Sequence, residues 1–104
     1  MFKELTKLAK IINKNKIKNP NISYTATIYK KGKNFCIKKF MEEAKEFATA
    51  SRYYNKKNIV HEAADLLYHF LVLLESKKIN FNQVLKELSK RRHRSGFEEK
   101  KNRK

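Results

Sequence analysis

The sequence predicts an all-α chain of about five helices. Three observations support this. Two glycines and one proline among 104 residues leave few sharp turns. Apolar residues recur at three- and four-residue spacing along most of the chain. No segment alternates apolar and polar residues with a period of two, as a half-buried strand would.

Each helix can be placed in turn. Phe2, Leu5, Leu8, Ile11 and Ile12 form one stripe over residues 2–14, and NKIKNPNI around Pro20 makes a polar connector. Ser23 can cap a short helix over 24–31, and Gly32 can end it. Asn34 can cap a longer helix over 35–54, whose apolar positions are Ile37, Phe40, Met41, Ala44, Phe47 and Ala48. A break is expected at RYYNKKN. Asn58 can then cap a helix over 59–76, nearly all apolar after Asp65 and so the most buried element. Lys77 and Lys78 follow it, where positive charge is favourable. Asn80 can cap a last helix over 81–92, carrying Phe81, Val84, Leu85 and Leu88. The chain is expected to be one domain over 1–104, with 93–104 a basic tail ordered by a partner or ligand. A core this small is near the size at which dimerisation completes it.

Charge narrows the function. Lys and Arg number 26 against 10 Asp and Glu, for a net charge of +16. Such a balance favours an anionic partner, although a general bias toward Lys, Asn and Ile would also produce it. Nucleic-acid binding is not expected, because no helix shows a clustered Lys/Arg face interleaved with aromatics. The longest apolar run, LLYHFLVLL, is too short to span a bilayer, so no membrane partner is expected. The polar N-terminus resembles no secretory signal, and a lone thiol, Cys36, fits a reducing cytoplasm. Cys36 itself reads as a small core residue.

The few carboxylates are not spread evenly. Glu42, Glu43 and Glu46 lie within EEAKE, and Glu62 and Asp65 within EAAD. At about 100° per residue the first three share one arc of a helix, with Glu43 nearest its apolar stripe. Glu62 and Asp65 form a second stripe, with His69 one turn beyond as a structural partner for Asp65. His61 and His93 show no useful constellation. An antiparallel hairpin would bring the two stripes face to face. Five converging carboxylates repel, and a hard cation, Mg²⁺ or Mn²⁺, would relieve them. The competing reading is a solvated face. Lys38 and Lys39 precede Glu42 and Glu43 by four residues, which is ion-pair spacing.

EExxE followed by ExxD on two helices resembles the MazG-like, all-α nucleoside triphosphate pyrophosphatases. Within them the chain resembles the phosphoribosyl-ATP pyrophosphatases of histidine biosynthesis. SYTA at 23–26, KKFMEEAKE at 38–46, HEAADLLYHFLVLL at 61–74 and RRHRSGFEEK at 91–100 carry the resemblance. It implies Mg²⁺-dependent hydrolysis of phosphoribosyl-ATP to phosphoribosyl-AMP and pyrophosphate, and a homodimer whose helices form a joint bundle. It implies that Glu42, Glu43, Glu46, Glu62 and Asp65 bind metal, with Glu43 or Glu46 handling the attacking water. Lys38, Lys39, Arg92, Arg94, Lys100 and Arg103 are candidates to meet substrate phosphates. Met41 stands where the family usually has glycine, and its larger side chain is expected near the approach to the site. A related enzyme acting on other nucleoside triphosphates, a basic nucleic-acid-binding protein and a helical dimerisation module are the alternatives.

Overall fold

The computed structural model describes residues 3–21 and 23–92. Among them the chain forms five helices and no strand: α1 Lys3–Asn15, α2 Tyr24–Lys30, α3 Lys33–Tyr53, α4 Lys56–Ser76 and α5 Phe81–Arg91. The all-α expectation therefore holds. The long helices α3 and α4 form an antiparallel hairpin, the most extensive packing in the molecule, and α1 and α2 pack against it.

The core is one cluster built on Ile12 of α1, Ile28 of α2, Cys36 of α3, Leu71 and Val72 of α4, and Phe81 of α5. Leu5, Leu8 and Ala9 bring the rest of the α1 stripe against it, and Val84 and Leu85 bring that of α5. Every helix thus contributes its apolar stripe to the same interior. Cys36 is only 1% exposed, which agrees with its reading as a core residue.

The helix ends agree with the sequence at two places and differ at two. Ser23 Oγ accepts from the Ala26 N–H at the start of α2. Asn80 and Gln83 make a reciprocal capping box at the start of α5.

Asn34, in contrast, lies inside the first turn of α3 rather than capping it. Lys31 and Gly32 close α2 by bonding to the Ile28 and Tyr29 carbonyls, and Gly32, at φ 95°, then turns the chain straight into α3 as its N-cap. A positive φ suits glycine, so the turn needs no further residue. Likewise α4 begins at Lys56, not after Asn58. Asn55 is the cap, its side chain accepting from the Asn58 N–H at 3.0 Å. The break within RYYNKKN is therefore only Tyr54 and Asn55, since neither Lys56 nor Lys57 opposes a helix.

The inner seam of the hairpin repeats every seven residues. On α3 the buried residues are Cys36, Glu43 and Ala50. On α4, Glu62, His69 and Ser76 keep the same spacing. Because the helices run antiparallel, Cys36 meets Ser76 and Glu43 meets His69, while Ala50 and Glu62 share one cleft. A seven-residue repeat keeps both stripes facing one another over several turns. Two of these layers carry carboxylates, so the chain's acids enter a seam that packing alone would fill with apolar side chains.

Candidate metal centre

Glu43 sits in the middle layer of the seam and is 9% exposed. One oxygen each of Glu43, Glu46 and Glu62 lie within 4.8 Å of one another. Glu46, one turn along α3, is exposed on the cleft side, and Glu62 faces it from α4. A second group with the same spacing comprises His61, Glu62 and Asp65. Glu62 belongs to both and joins them.

The electrostatics are those of crowded acids. Burial and then the close Glu46 carboxylate raise the pKa of Glu43 from 4.5 to about 7, Asp65 adds to the effect, and Lys39 opposes it. Burial and then Glu46 and Asp65 raise Glu62 as well, against a smaller opposing effect of His61. Glu43 Oε2 and Glu62 Oε2 are both buried and have no hydrogen-bond partner among the described residues. Buried carboxylate oxygens without donors are costly unless something positive meets them. The donor set contains only oxygen and one imidazole, which suits a hard divalent cation. The residues present therefore fit Mg²⁺ or Mn²⁺.

The other expected residues are distributed as follows. Glu42 lies on the cleft wall but in neither group, and its carboxylate meets Lys39 Nζ at 3.3 Å. That pair spans three residues, not the four expected from Lys39 to Glu43. Asp65 pairs with His61 at 3.3 Å, one turn back on the same helix. Asp65 acts on His69 through its charge, as expected, but the nearer carboxylate is Glu43, whose Oε1 lies 3.8 Å from His69 Nε2 across the seam. Spacing along either helix alone does not show this pairing, which depends on the register between them. His61 likewise has a constellation that the sequence reading missed.

Lys38 is exposed. Arg92 caps the C-terminus of α5 and is exposed. Arg94, Lys100 and Arg103 lie outside the described residues, as does most of the C-terminal signature. Met41 is 65% exposed and does not line the cleft, so the expected crowding of the site is absent.

Beside the acids opens a cleft of about 600 Å³. Glu42 and Glu46 of α3 and Glu62 of α4 line it, and Lys45, Thr49, Ala50, Tyr54 and Asn58 complete the lining. The size is that of a small-molecule site. A lining that combines acids with an exposed aromatic ring, an amide and a hydroxyl suits a ligand with a metal-bound anionic part and a planar part. From sequence, Lys45, Thr49 and Tyr54 are not singled out for the site, and Asn58 reads only as a helix cap.

Comparison with known proteins gives the family. A model of the phosphoribosyl-ATP pyrophosphohydrolase family matches residues 5–92. The chain is 40% identical over 96 residues to the phosphoribosyl-ATP pyrophosphatase of Rhodobacter capsulatus, covering 92% of this chain and 93% of that protein. It is 46% identical over 82 residues to phosphoribosyl-ATP pyrophosphatase 1 of Bradyrhizobium diazoefficiens, covering 79% and 77%. It is also 40% identical over 91 residues to a histidine biosynthesis bifunctional protein of Buchnera aphidicola, covering 88% of this chain and 42% of that longer one. With α2 to α5 and most of α1 inside the matched span, and relatives 40% identical over nearly the whole chain, the chain belongs to the phosphoribosyl-ATP pyrophosphohydrolase family.

Proposed function

We propose that the chain hydrolyses phosphoribosyl-ATP to phosphoribosyl-AMP and pyrophosphate in the cytoplasm, as a step of histidine biosynthesis. One observation carries the reading within this family. Carboxylates from two helices, Glu43, Glu46 and Glu62, converge within 4.8 Å, and two buried oxygens among them have no hydrogen-bond partner among the described residues.

Glu43, Glu46, Glu62 and Asp65 would hold Mg²⁺ or Mn²⁺, and Glu42 would join from the cleft wall. When bound, the cation would neutralise the triphosphate and favour departure of pyrophosphate. Water then adds across the α–β phosphoanhydride bond. Of the two candidates for activating that water, Glu43 is the better placed. It lies between the two helices beside Glu46 and Glu62, and its burial keeps bulk water from competing. Lys39 and Lys45 flank the acids and would meet phosphate oxygens, with Lys38 and Arg92 further out. The planar part of the substrate would lie toward Tyr54 and Asn58.

The chain would act as a homodimer. Ile37 and Met41 on α3, and Val60 and Leu67 on α4, are exposed apolar residues on the long hairpin. Val60, Ala64 and Leu67 follow helical spacing, on the opposite side of α4 from Glu62 and His69. A second copy covering that stripe would make a joint bundle.

The test is direct. Purified protein is incubated with Mg²⁺ and phosphoribosyl-ATP, and pyrophosphate is measured. Release is expected. No release, with ordinary nucleoside triphosphates hydrolysed instead, would shift the assignment to another substrate of this chemistry.

A further inference from the structure

His69 is 5% exposed, a buried imidazole in the middle of the seam. Its surroundings are specific. The ring meets Tyr68 edge-on at 5.1 Å and Tyr24 edge-on at 6.1 Å, and these two tyrosines stack on each other at 6.2 Å. Tyr68 is fixed in turn, its hydroxyl lying 2.5 Å from Thr25 Oγ1. The imidazole is therefore held by two rings, one of them anchored to α2. Its Nε2 faces Glu43 Oε1 at 3.8 Å, while Glu43 Oε2 is the buried oxygen with no hydrogen-bond partner among the described residues.

We propose that His69 is a positioning residue: it directs an Nε2–H at Glu43 Oε1 and so presents Oε2 to the centre shared with Glu46 and Glu62. This rests on the functional reading above. A 3.8 Å separation is longer than a hydrogen bond, as is common in catalytic sites before loading, where such contacts tighten only once the ligands are in place. Without the imidazole, Glu43 could rotate either oxygen, or neither, toward its neighbours. Outer groups that orient metal-binding carboxylates in this way govern cation affinity and turnover together. The tyrosines and Thr25 make the orienting group itself rigid, so that SYTA, at the start of α2, acts on the acids through His69.

Two measurements test the proposal on the full-length chain. The first compares Mn²⁺ affinity by calorimetry for the wild type, His69→Leu and His69→Gln. Leucine removes the donor and keeps an apolar filling, whereas a glutamine amide can place an N–H near the Nε2 position. His69→Leu should weaken Mn²⁺ binding about 10- to 100-fold, and His69→Gln should restore most of the loss. In turnover, His69→Leu should lower kcat with little change in KM, with the same partial rescue. Leucine at wild-type affinity, or glutamine no better than leucine, would overturn the proposal, as would a wild type that binds no Mn²⁺.

The second measurement needs no variant. Nitrogen-15 spectra at pH 8 should show His69 as the Nε2–H tautomer. An Nδ1–H tautomer would overturn the proposal even if His69→Leu failed to fold. A wild type that binds Mn²⁺ without releasing pyrophosphate would defeat the functional reading while leaving both His69 measurements decisive.

Discussion

Lys16, just past α1, reaches Glu75 in the last turn of α4, Nζ to Oε1 at 2.5 Å, with both side chains mostly out of solvent. Asn13 donates to the same oxygen, so one carboxylate ties the end of α1 to the end of the hairpin. The Lys16 ammonium also lies 5.5 Å from the centre of the Tyr29 ring. Glu75→Ala leaves that largely buried ammonium without its carboxylate, with the Tyr29 ring still beside it. The expected cost is about 2 kcal/mol, between the values for exposed and buried pairs. Urea unfolding checks it: the midpoint should fall while the slope stays unchanged.

Tyr68→Phe should destabilise by about 1–2 kcal/mol. It leaves Thr25, itself buried, with a hydroxyl that has lost its partner. If the tyrosine also steadies His69, Mn²⁺ affinity should fall with it, and the two effects can be measured on one sample.

Glu46→Gln and Asp65→Asn should each abolish pyrophosphate release while leaving far-ultraviolet circular dichroism unchanged. Both side chains lie at the surface of the hairpin, so neither supports the core. Near-wild-type rates in both variants would remove the proposed metal centre.

Without metal, stability should respond to pH through Glu43. Its folded-state pKa of about 7 stands above the ordinary 4.5, so the folded chain holds that proton more tightly than the unfolded chain. The favourable contribution is complete below about 4.5 and is lost as pH rises through about 7. His69 acts in the opposite sense: burial and then Lys39 lower its pKa below 6.5, so its contribution is lost as pH falls below that value. Melting of wild type and Glu43→Gln in chelator, across pH 4.5 to 8, separates the two. Relative to the variant, the wild type should lose stability toward high pH, and added Mg²⁺ should reverse the loss.

Gly32→Ala should cost about 1 kcal/mol. A Cβ there would meet nothing within 4 Å, so the penalty is the positive φ alone. Thermal melting should show the fall without a change in Mn²⁺ affinity.

The helices were legible because their signals are local. Ser23 and Asn80 bond to backbone two or three residues away, and apolar spacing needs only the helical period. Two starts were misplaced because Asn34 and Asn58 are as good caps, considered alone, as the residues used. What decided between them was a φ of 95° at Gly32 and the competing cap Asn55. The acid stripes could be read because both lie on regular helices. The pairing of His69 with Glu43 could not, because it depends on the register between two helices, which intrahelical spacing leaves open. Tyr54 and Asn58 entered the cleft for the same reason.

That register makes the two-residue link of Tyr54 and Asn55 a ruler. One residue added there would rotate α4 by about 100° relative to α3 if the loop absorbed none of it. Cys36 would lose Ser76, Glu43 would lose His69, and Glu46 would lose Glu62, all in one event. An insertion at this hairpin tip, ordinarily the most forgiving place in a helical protein, should therefore cost core and catalysis together. Lengthening the connector around Pro20 by the same amount should leave the acids aligned.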